Sequence, residues 1–547
     1  MDLVTNWMRL RKGSCAGFAV GFLLCGAVIG AGQSAANVQV DVNSSINPMT
    51  VQAMGVYTNV YDSGTTKPAV WQYLHSAGMY TIRYPGGYGS YPDLYHWATN
   101  SGTHYQNFNP PPERFYPGEN SMGHIAQFLD KLGTAIITVN YGSNAAGTGG
   151  GEPAEAAAWV AYANGDPNDS KVIGKDSTGQ DWKTVGYWAG LRAQAPLTDD
   201  DGLNLLRANH PKPLGIKLWE IGSEVYKNGY YYGDWYGDHR DSEEDLHAPY
   251  PPDPKDNSKR RKNPNLSPSF YGARVIEFSK AMKAVDPSVW IGASMIIPSE
   301  YHLAPDWNVD ILKTACGSID FISLAWRPGD TLAPDYKVRD DDSVLRAPEE
   351  QLKGIFSDAV YNQKFCSAGH APRIAFTQMA PIEWPKIEHP IVDALFAADA
   401  FALLIESGTI NSDWMELHNQ SFLSDGNQPQ PGYFGIQMLH IIAFHPGDEF
   451  VTATSSRSTL AVHATRRIDG SIGVLLINKD AKIPVEVKIK LNGGSYAPAG
   501  LRFDYGQEAL QAGSPVAKTP IKDIGSAFSV TVPAYSITDI LIPTASK

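Results

Sequence analysis

The feature that most constrains the fold is an alternation of short apolar segments with helical stretches, repeated eight times. The eight strand candidates are residues 52–60, 80–84, 135–140, 216–221, 289–295, 319–325, 373–377 and 413–418. Several are continuous β-branched runs, as expected of strands buried on both faces. Segments between them, such as 122–132 and 271–285, carry apolar residues at helical spacing. The pattern predicts an α/β fold, a closed parallel (β/α)8 TIM barrel. No G-x-G-x-x-G follows the first strand, which disfavours a doubly wound sheet.

The helical period ends near Gly426, where apolar and polar residues begin to alternate as in antiparallel strands. This alternation covers residues 450–454, 459–463, 472–478, 485–491 and 528–532. The Gly493-Gly494 pair marks a hairpin turn. We therefore predict a barrel over residues 51–425 and an antiparallel β-sandwich over residues 426–547. A strand within residues 37–50 is expected to join the sandwich.

Residues 1–36 have the features of a secretory signal peptide. Basic residues at 9, 11 and 12 precede an apolar stretch over 16–29, and small residues near Ala36 offer a cleavage site. The apolar stretch is shorter than the ~20 residues that span a bilayer. We predict a secreted or periplasmic protein without a membrane span in the mature chain. Leu24 disfavours a lipid anchor on Cys25, because such sites prefer a smaller residue before the cysteine.

Charge and cysteine content narrow the functional classes. A net charge of −13 disfavours nucleic acids and anionic membranes as partners, because both require basic patches. The aromatic share of 11% suits stacking on sugars and a large aromatic core equally well. No zinc-type cluster of Cys and His occurs, and no metal or cofactor is expected. Cys316 and Cys366 precede neighbouring predicted strands, so we predict that they pair.

The ends of the predicted strands carry the candidate functional residues, because barrel enzymes place their working groups there. Arg83 ends the second strand and Asn140 the third, and Trp219-Glu220-Ile221-Gly222-Ser223-Glu224 ends the fourth. Glu224 is expected at the mouth of the barrel and Glu220 deeper, on the same face if the strand is straight. Neighbouring aromatic residues would raise the pKa of Glu224, as a general acid requires. The alternative is a rim carboxylate paired with Arg83.

Taken together, these motifs resemble the α-L-arabinofuranosidases of glycoside hydrolase clan A. The likeness rests on R-Y-P-G-G at 83–87, W-E-I-G-x-E at 219–224, D-A-L-F at 393–396, L-H-N at 417–419 and V-P-A-Y-S at 532–536. It spans almost the whole mature chain. It implies hydrolysis of polysaccharide side chains, with an oligo- or polysaccharide as partner. Heparanase- and xylosidase-like relatives share parts of the pattern, so the sugar and its linkage stay open.

The resemblance also assigns roles to residues. Glu224 takes the place of the general acid/base, and Gln378, in I-A-F-T-Q, stands where the clan has its Glu nucleophile. A neutral amide is a very poor nucleophile toward an anomeric carbon and provides no anion to stabilise an oxocarbenium ion. Ser223 replaces the usual Asn, and Ala325-Trp326-Arg327 replaces His-x-Tyr. We therefore predict that the usual retaining mechanism is lost. The predicted substrate-binding residues are Arg83, Asn140, Ser223, Tyr230, Trp326, Arg327 and Trp414.

Three hypotheses remain. In the first, inverting hydrolysis, Glu224 is the acid and Glu383 or Glu416 is the base, and the two carboxyls lie ~6.5–9.5 Å apart. The alternative for Glu383 is a charge on the protein surface. The alternative for Glu416 is a structural ion pair with Arg83. The pocket could instead bind carbohydrate without cleaving it. In either case Arg327 could select a uronic-acid sugar, because its fork matches a carboxylate. The aromatic insert after the fourth strand, with Tyr230, is either a wall of the sugar site or a self-packed loop.

Overall fold

The computed structural model describes residues 35–86, 95–102, 116–228, 245, 247, 264–329, 341–366, 370–381, 389–418, 422–512 and 516–545. Most of the predicted signal peptide, together with Tyr230 and Glu383, lies outside these residues. Within them, no helix is long and apolar enough to cross a membrane.

The first strand, β1 (Ala35–Pro48), belongs to the C-terminal sheet, and the chain then enters a closed barrel of eight parallel strands. The barrel strands are β2 (Met54–Tyr57), β3 (Thr81–Tyr84), β4 (Thr134–Val139), β5 (Leu218–Ile221), β6 (Trp290–Met295), β7 (Phe321–Trp326), β8 (Arg373–Met379) and β9 (Asn411–Trp414). They pair in chain order, and β9 closes the barrel onto β2. The predicted barrel is confirmed.

The last barrel strand shows the largest difference from the predicted boundaries. The eighth barrel strand was expected at 413–418, but β9 begins at Asn411 and ends at Trp414, so Glu416 lies beyond the strand. The strand starts with polar residues that the barrel accepts: Asn411 donates a hydrogen bond to the carbonyl of Gln52 at 3.0 Å. An assignment from hydropathy alone therefore places the start of this strand too late in the chain.

Ten helices occur in the described part of the chain. They are α1 (Pro68–Ser76), α2 (Met122–Leu132), α3 (Pro153–Asn164), α4 (Val185–Ala193), α5 (Pro268–Val285), α6 (Trp307–Ala315), α7 (Asp341–Asn362), α8 (Ile391–Glu406), α9 (Pro431–Ile442) and α10 (Gln507–Ala512). One of the longer helices has clear local start signals. In α5, the Ser267 hydroxyl accepts a hydrogen bond from the Phe270 amide at 3.2 Å, and Pro268 occupies the first turn. Both features favour a helix start at this position.

The second domain is a nine-stranded sheet packed against α8 and α9. Its strands are β1, β10 (Glu449–Ser455), β11 (Leu460–Arg466), β12 (Ile472–Asn478), β13 (Val485–Asn492), β14 (Ala499–Gly506), β15 (Ala517–Lys522), β16 (Ala527–Val532) and β17 (Ser536–Ile542). It is antiparallel except where β1 lies parallel to β13. Nearly every residue of α8 is buried, because this helix lies between the barrel and the sheet.

A disulfide bond joins Cys316 and Cys366, whose Cα atoms lie 5.4 Å apart. It connects the segment before β7 to the segment before β8. The predicted pairing is confirmed, and it ties together two neighbouring strands that carry candidate site residues at their other ends.

Candidate active site

The barrel interior holds a buried ion pair between Arg83 on β3 and Glu220 on β5. Arg83 donates to Glu220 Oε2 through Nε at 2.9 Å and Nη2 at 2.7 Å. The hydroxyls of Thr138 and Thr377 donate to the two carboxylate oxygens at 2.8 and 3.0 Å. Buried charges persist only when paired in this way. Arg83 therefore pairs with Glu220 and not with Glu224 or Glu416, the partners that the alternative interpretations of those two residues gave it.

Glu224 lies above this pair, at the mouth of the barrel. Strand β5 ends at Ile221, and positive φ angles at Gly222 (69°) and Glu224 (47°) turn the chain outward. The straight strand that the sequence suggested is therefore absent here. A left-handed conformation at a residue other than glycine is sterically unfavourable, and such strain is concentrated at functional sites.

Three groups contact one oxygen of Glu224. Tyr226 donates from its hydroxyl at 3.0 Å, Arg327 from Nη2 at 3.0 Å, and Lys227 Nζ lies at 3.1 Å, all on Oε1. Burial by itself would raise the pKa of Glu224, but the charges of Lys227 and Arg327 outweigh it and hold the pKa well below its usual range. The predicted increase of this pKa is wrong, because sequence reasoning saw the aromatic neighbours and missed the two cations.

Gln378 faces Glu224 across the guanidinium of Arg327. Arg327 Nη1 donates to Gln378 Oε1 at 2.9 Å while Nη2 of the same side chain contacts Glu224. The amide nitrogen of Gln378 donates to Ser223 Oγ at 3.0 Å, and Ser223 also accepts from Arg83 at 3.0 Å. One guanidinium thus bridges the two positions to which the resemblance assigns catalysis.

Comparison with known proteins identifies this architecture. No protein-family model and no curated protein matches the sequence. Among solved structures, α-L-arabinofuranosidase from Thermotoga maritima, in its arabinose complex, is similar at 18% identity and a TM-score of 0.63, covering 93% of this chain and 99% of that one. The chain has an arabinofuranosidase-like clan A fold.

Two further structures support the same conclusion. The GH51 arabinofuranosidase from Thermotoga petrophila RKU-1 is similar at 19% identity and a TM-score of 0.63, covering 93% of this chain and 100% of that one. The family 44 endoglucanase from Clostridium thermocellum is similar at 16% identity and a TM-score of 0.60, with the same coverage. At these identities the likeness establishes the fold, and the chemistry must be argued from the site itself.

The arabinofuranosidase-like fold does not bring every predicted residue to the mouth. Trp326 is fully buried, donates to Gln351 of α7 at 3.1 Å and packs against Phe396 of α8. Trp414 is also fully buried and contacts Phe396 and Phe401 of α8. Both indoles point toward the outer helices, contrary to the substrate contacts predicted for them. Strand alternation explains this, because consecutive side chains face opposite sides of the barrel wall.

Two other predicted residues lie in the loops around the mouth. Asn140 is buried, and its side-chain carbonyl accepts from the Ser143 amide at 3.0 Å, which stabilises the turn after β4. Glu416 accepts from Asn59 at 3.3 Å. Within the described residues, no group of three or more His, Cys, Asp or Glu is arranged to hold a metal ion.

Sequence reasoning missed two charged residues of the site, Lys227 and Glu300. Glu300 ends a short 3-10 helix after β6, and its Oε2 contacts the Tyr226 hydroxyl at 3.2 Å. Its place after the carboxyl end of a barrel strand was the signal that could have found it. Burial raises the pKa of Glu300, and neighbouring Glu224 adds to the increase against the opposing charges of Lys227 and Arg327. The interacting side chains at the mouth, called the mouth cluster below, are Ser223, Glu224, Tyr226, Lys227, Glu300, Arg327 and Gln378.

Proposed function

We propose that the mouth cluster binds a carbohydrate carrying a carboxylate, a uronic-acid unit of an oligo- or polysaccharide, and that it does not act by the clan's retaining mechanism. The observation that carries this proposal is the position of Arg327, whose guanidinium lies between Glu224 and Gln378. In the clan, a sugar ring is bound between the residues at these two positions.

The absence of a nucleophile argues against double displacement. Both ends of the Gln378 amide are engaged, the nitrogen with Ser223 and the oxygen with Arg327. An amide offers no anion for a covalent glycosyl intermediate. Glu224, whose pKa is lowered, is an ionised carboxylate in the resting site and has no proton to give to a leaving group.

The charge balance of the cluster favours an anionic ligand. Arg327 and Lys227 are two cations within 3.1 Å of Glu224, and burial raises the pKa of the second carboxyl, Glu300. Two cations beside the carboxylate of Glu224 favour a ligand that brings negative charge. An arginine fork matches a carboxylate in geometry as well as in charge. A uronate could take the place of Glu224 or Gln378 on the Arg327 fork.

The test is calorimetric binding of trigalacturonate and of a neutral trisaccharide, xylotriose. We expect the acidic sugar to bind more tightly, and Arg327→Gln to weaken that binding by about 10- to 100-fold, as expected from losing a charge-assisted hydrogen bond worth ~1.5–3 kcal/mol. The matched control is Arg346→Gln on the exposed face of α7, where the side chain is 55% exposed. Equal affinity for both sugars, or unchanged binding by Arg327→Gln, would contradict the proposal.

Hydrolysis by a rearranged mechanism is the second candidate, because the acid/base position keeps its Glu. Glu224 would need a proton and Glu383 would activate water. A screen of aryl glycosides, including arabinofuranosides and glucuronides, decides between the two candidates. Turnover that Glu224→Gln abolishes and Gln378→Ala leaves intact would favour the enzyme.

We also propose that the protein is exported, with cleavage of the signal peptide near Ala36. The support is the basic start, the short apolar stretch and the small residues of the N-terminus. Mass spectrometry of the N-terminus of the mature protein checks this, and an intact Met1 in protein recovered outside the cytoplasm would contradict it.

A further inference from the structure

The Tyr226 hydroxyl lies between two carboxyl groups that the proposed binding function does not explain. It is 3.0 Å from Glu224 Oε1 and 3.2 Å from Glu300 Oε2. A tyrosine hydroxyl has one hydrogen and can donate to only one acceptor at a time. Both contacts are therefore favourable only when one of the two carboxyls carries a proton and donates it to the Tyr226 oxygen.

The surroundings decide which carboxyl carries the proton. Glu224 contacts the cations Arg327 and Lys227 directly, at 3.0 and 3.1 Å, so its ionised form is stabilised. Among the described residues, the titratable and charged groups that act on Glu300 are Tyr226, Glu224, Lys227 and Arg327, and burial raises its pKa. Glu300 is thus the protonated member, donating to Tyr226, which in turn donates to Glu224.

The Tyr226 ring is held firmly enough to keep this geometry. Its side chain is buried, and its ring meets the Trp307 ring edge-on with centroids 6.2 Å apart. Trp307 is fixed by a hydrogen bond from its indole nitrogen to the Ser294 carbonyl at 3.0 Å. Glu300 is itself placed by the turn after β6, where its amide donates to the Ile297 carbonyl at 2.9 Å.

We infer that Glu300, Tyr226 and Glu224 form a proton relay that converts Glu224 into an acid when Arg327 is withdrawn from it. In the transfer, the O–H bond of Glu300 breaks as its proton bonds to the Tyr226 oxygen. The original proton of Tyr226 passes at the same time to Glu224 Oε1. One proton leaves Glu300 and one arrives at Glu224, so the total charge is unchanged and no other reactant is needed.

The trigger rests on the proposed function, because a ligand carboxylate on the Arg327 fork would take that cation away from Glu224. It would also bring a negative charge beside Glu224, which opposes the remaining contact with Lys227. The neutral Glu224 could then donate a hydrogen bond or a proton to a glycosidic oxygen. Glu300 is a positioning residue in this scheme, since it acts through Tyr226 and Glu224. The proton stored on Glu300 does not depend on any ligand.

Infrared spectroscopy of the full chain tests the stored proton. Glutamate labelled with ¹³C at the side-chain carboxyl shifts the band of a protonated Glu and leaves the protonated Asp bands in place. This matters because the other described carboxyls with a raised pKa are Asp358, Asp393, Asp413 and Asp539. We expect a label-sensitive acid band at neutral pH that Glu300→Gln removes and Tyr226→Phe shifts. Glu277→Gln, at a side chain that is 55% exposed on α5, should leave the band unchanged.

The transfer is tested in two ways. Arg327→Gln removes the same cation without any sugar, so the acid band should move to the frequency of Glu224 and disappear when Glu224→Gln is added. Trigalacturonate should move the band in the wild type, and Tyr226→Phe should prevent both movements.

A missing label-sensitive band overturns the stored proton, and an unmoved band in Arg327→Gln overturns the relay. If trigalacturonate does not bind while the Arg327→Gln band moves, the relay is supported and the proposed ligand is wrong.

Discussion

Two buried ionic clusters in this molecule differ in how their charged groups act on one another. The junction cluster, between α8 and the C-terminal sheet, consists of Asp399, Glu406, His463 and Lys479. His463 lies between the two carboxylates, with Nε2 3.0 Å from Asp399 and Nδ1 2.8 Å from Glu406, and Lys479 Nζ is 2.7 Å from Asp399. With His463 protonated, two cations face two carboxylates. In the mouth cluster, two cations, Arg327 and Lys227, contact the same oxygen of one carboxylate, Glu224.

The pKa values express the same difference. In the junction cluster, burial opposes the charged form of Asp399, but Lys479 and His463 lower its pKa to about 2. Burial likewise opposes the charge of His463, yet Glu406 and Asp399 raise its pKa to about 9. Each group there stabilises the charge of its neighbour. At the mouth, the pKa values of Glu224 and Glu300 are displaced in opposite directions, which is the pattern of groups that exchange protons. The junction cluster therefore suits a structural role, and the mouth cluster suits a functional role.

The largest expected effect is the loss of a cation from the junction cluster. Lys479→Gln leaves Asp399 and Glu406 with one cation, and breaking a buried ion pair in this way costs about 3–5 kcal/mol. Arg327→Gln at the mouth leaves Lys227 in contact with Glu224, so we expect a smaller loss of about 1 kcal/mol, because functional residues are often not optimised for stability. Equilibrium unfolding in guanidinium chloride measures both. Equal losses for the two variants would show that the comparison is wrong.

A somewhat smaller effect is expected from pH. The pKa of His463 in the folded protein, about 9, lies above the ordinary value of ~6.5. Its contribution to the free energy of unfolding is therefore complete below pH ~6.5 and is lost as the pH rises through about 9, by ~3 kcal/mol in total. Asp399, with its lowered pKa, loses its contribution only in strong acid, as the pH falls through about 2.

His463→Gln is the control for the pH effect. The unfolding free energy of this variant should be lower than that of the wild type at pH 6 and should decline less between pH 6.5 and 9. A wild-type profile that is flat over this range, or a variant with the same slope, would contradict the charged state assigned to His463.

The fold and the mouth cluster differ in how far they can be predicted from the sequence. The barrel, the sandwich and most strand ends follow from local periodicity, which is a property of the sequence alone. The partners of Arg83 and Glu224 do not, because Glu220 is 137 residues from Arg83 and Arg327 is 103 residues from Glu224. The substrate contacts predicted for Trp326 and Trp414 were wrong for another reason. Hydropathy shows that a strand is buried on both faces but does not show which face a given side chain occupies.

The smallest expected effect concerns the restored nucleophile. Gln378→Glu returns the missing carboxylate to the clan's position, yet we expect no detectable arabinofuranosidase activity. Arg327 Nη1 already contacts Oε1 of residue 378, and with a carboxylate there the contact would become an ion pair that weakens the nucleophile. The introduced side chain would also lose the amide that donates to Ser223. Ser223 still could not supply the contact to the sugar 2-OH, which strengthens in the transition state.

The measurement is hydrolysis of an aryl arabinofuranoside by the wild type, by Gln378→Glu, and by Gln378→Glu combined with Ala325→His and Arg327→Tyr. The combined variant removes the cation of Arg327 from the mouth and restores the clan's His-x-Tyr around Trp326. Activity in the combined variant alone would show that Arg327 commits the mouth to another ligand. Activity in the single variant would show instead that the mouth cluster is an intact hydrolytic site lacking one carboxylate. In that case the contact of Arg327 with residues 224 and 378 would not be the property that separates the mouth cluster from the junction cluster.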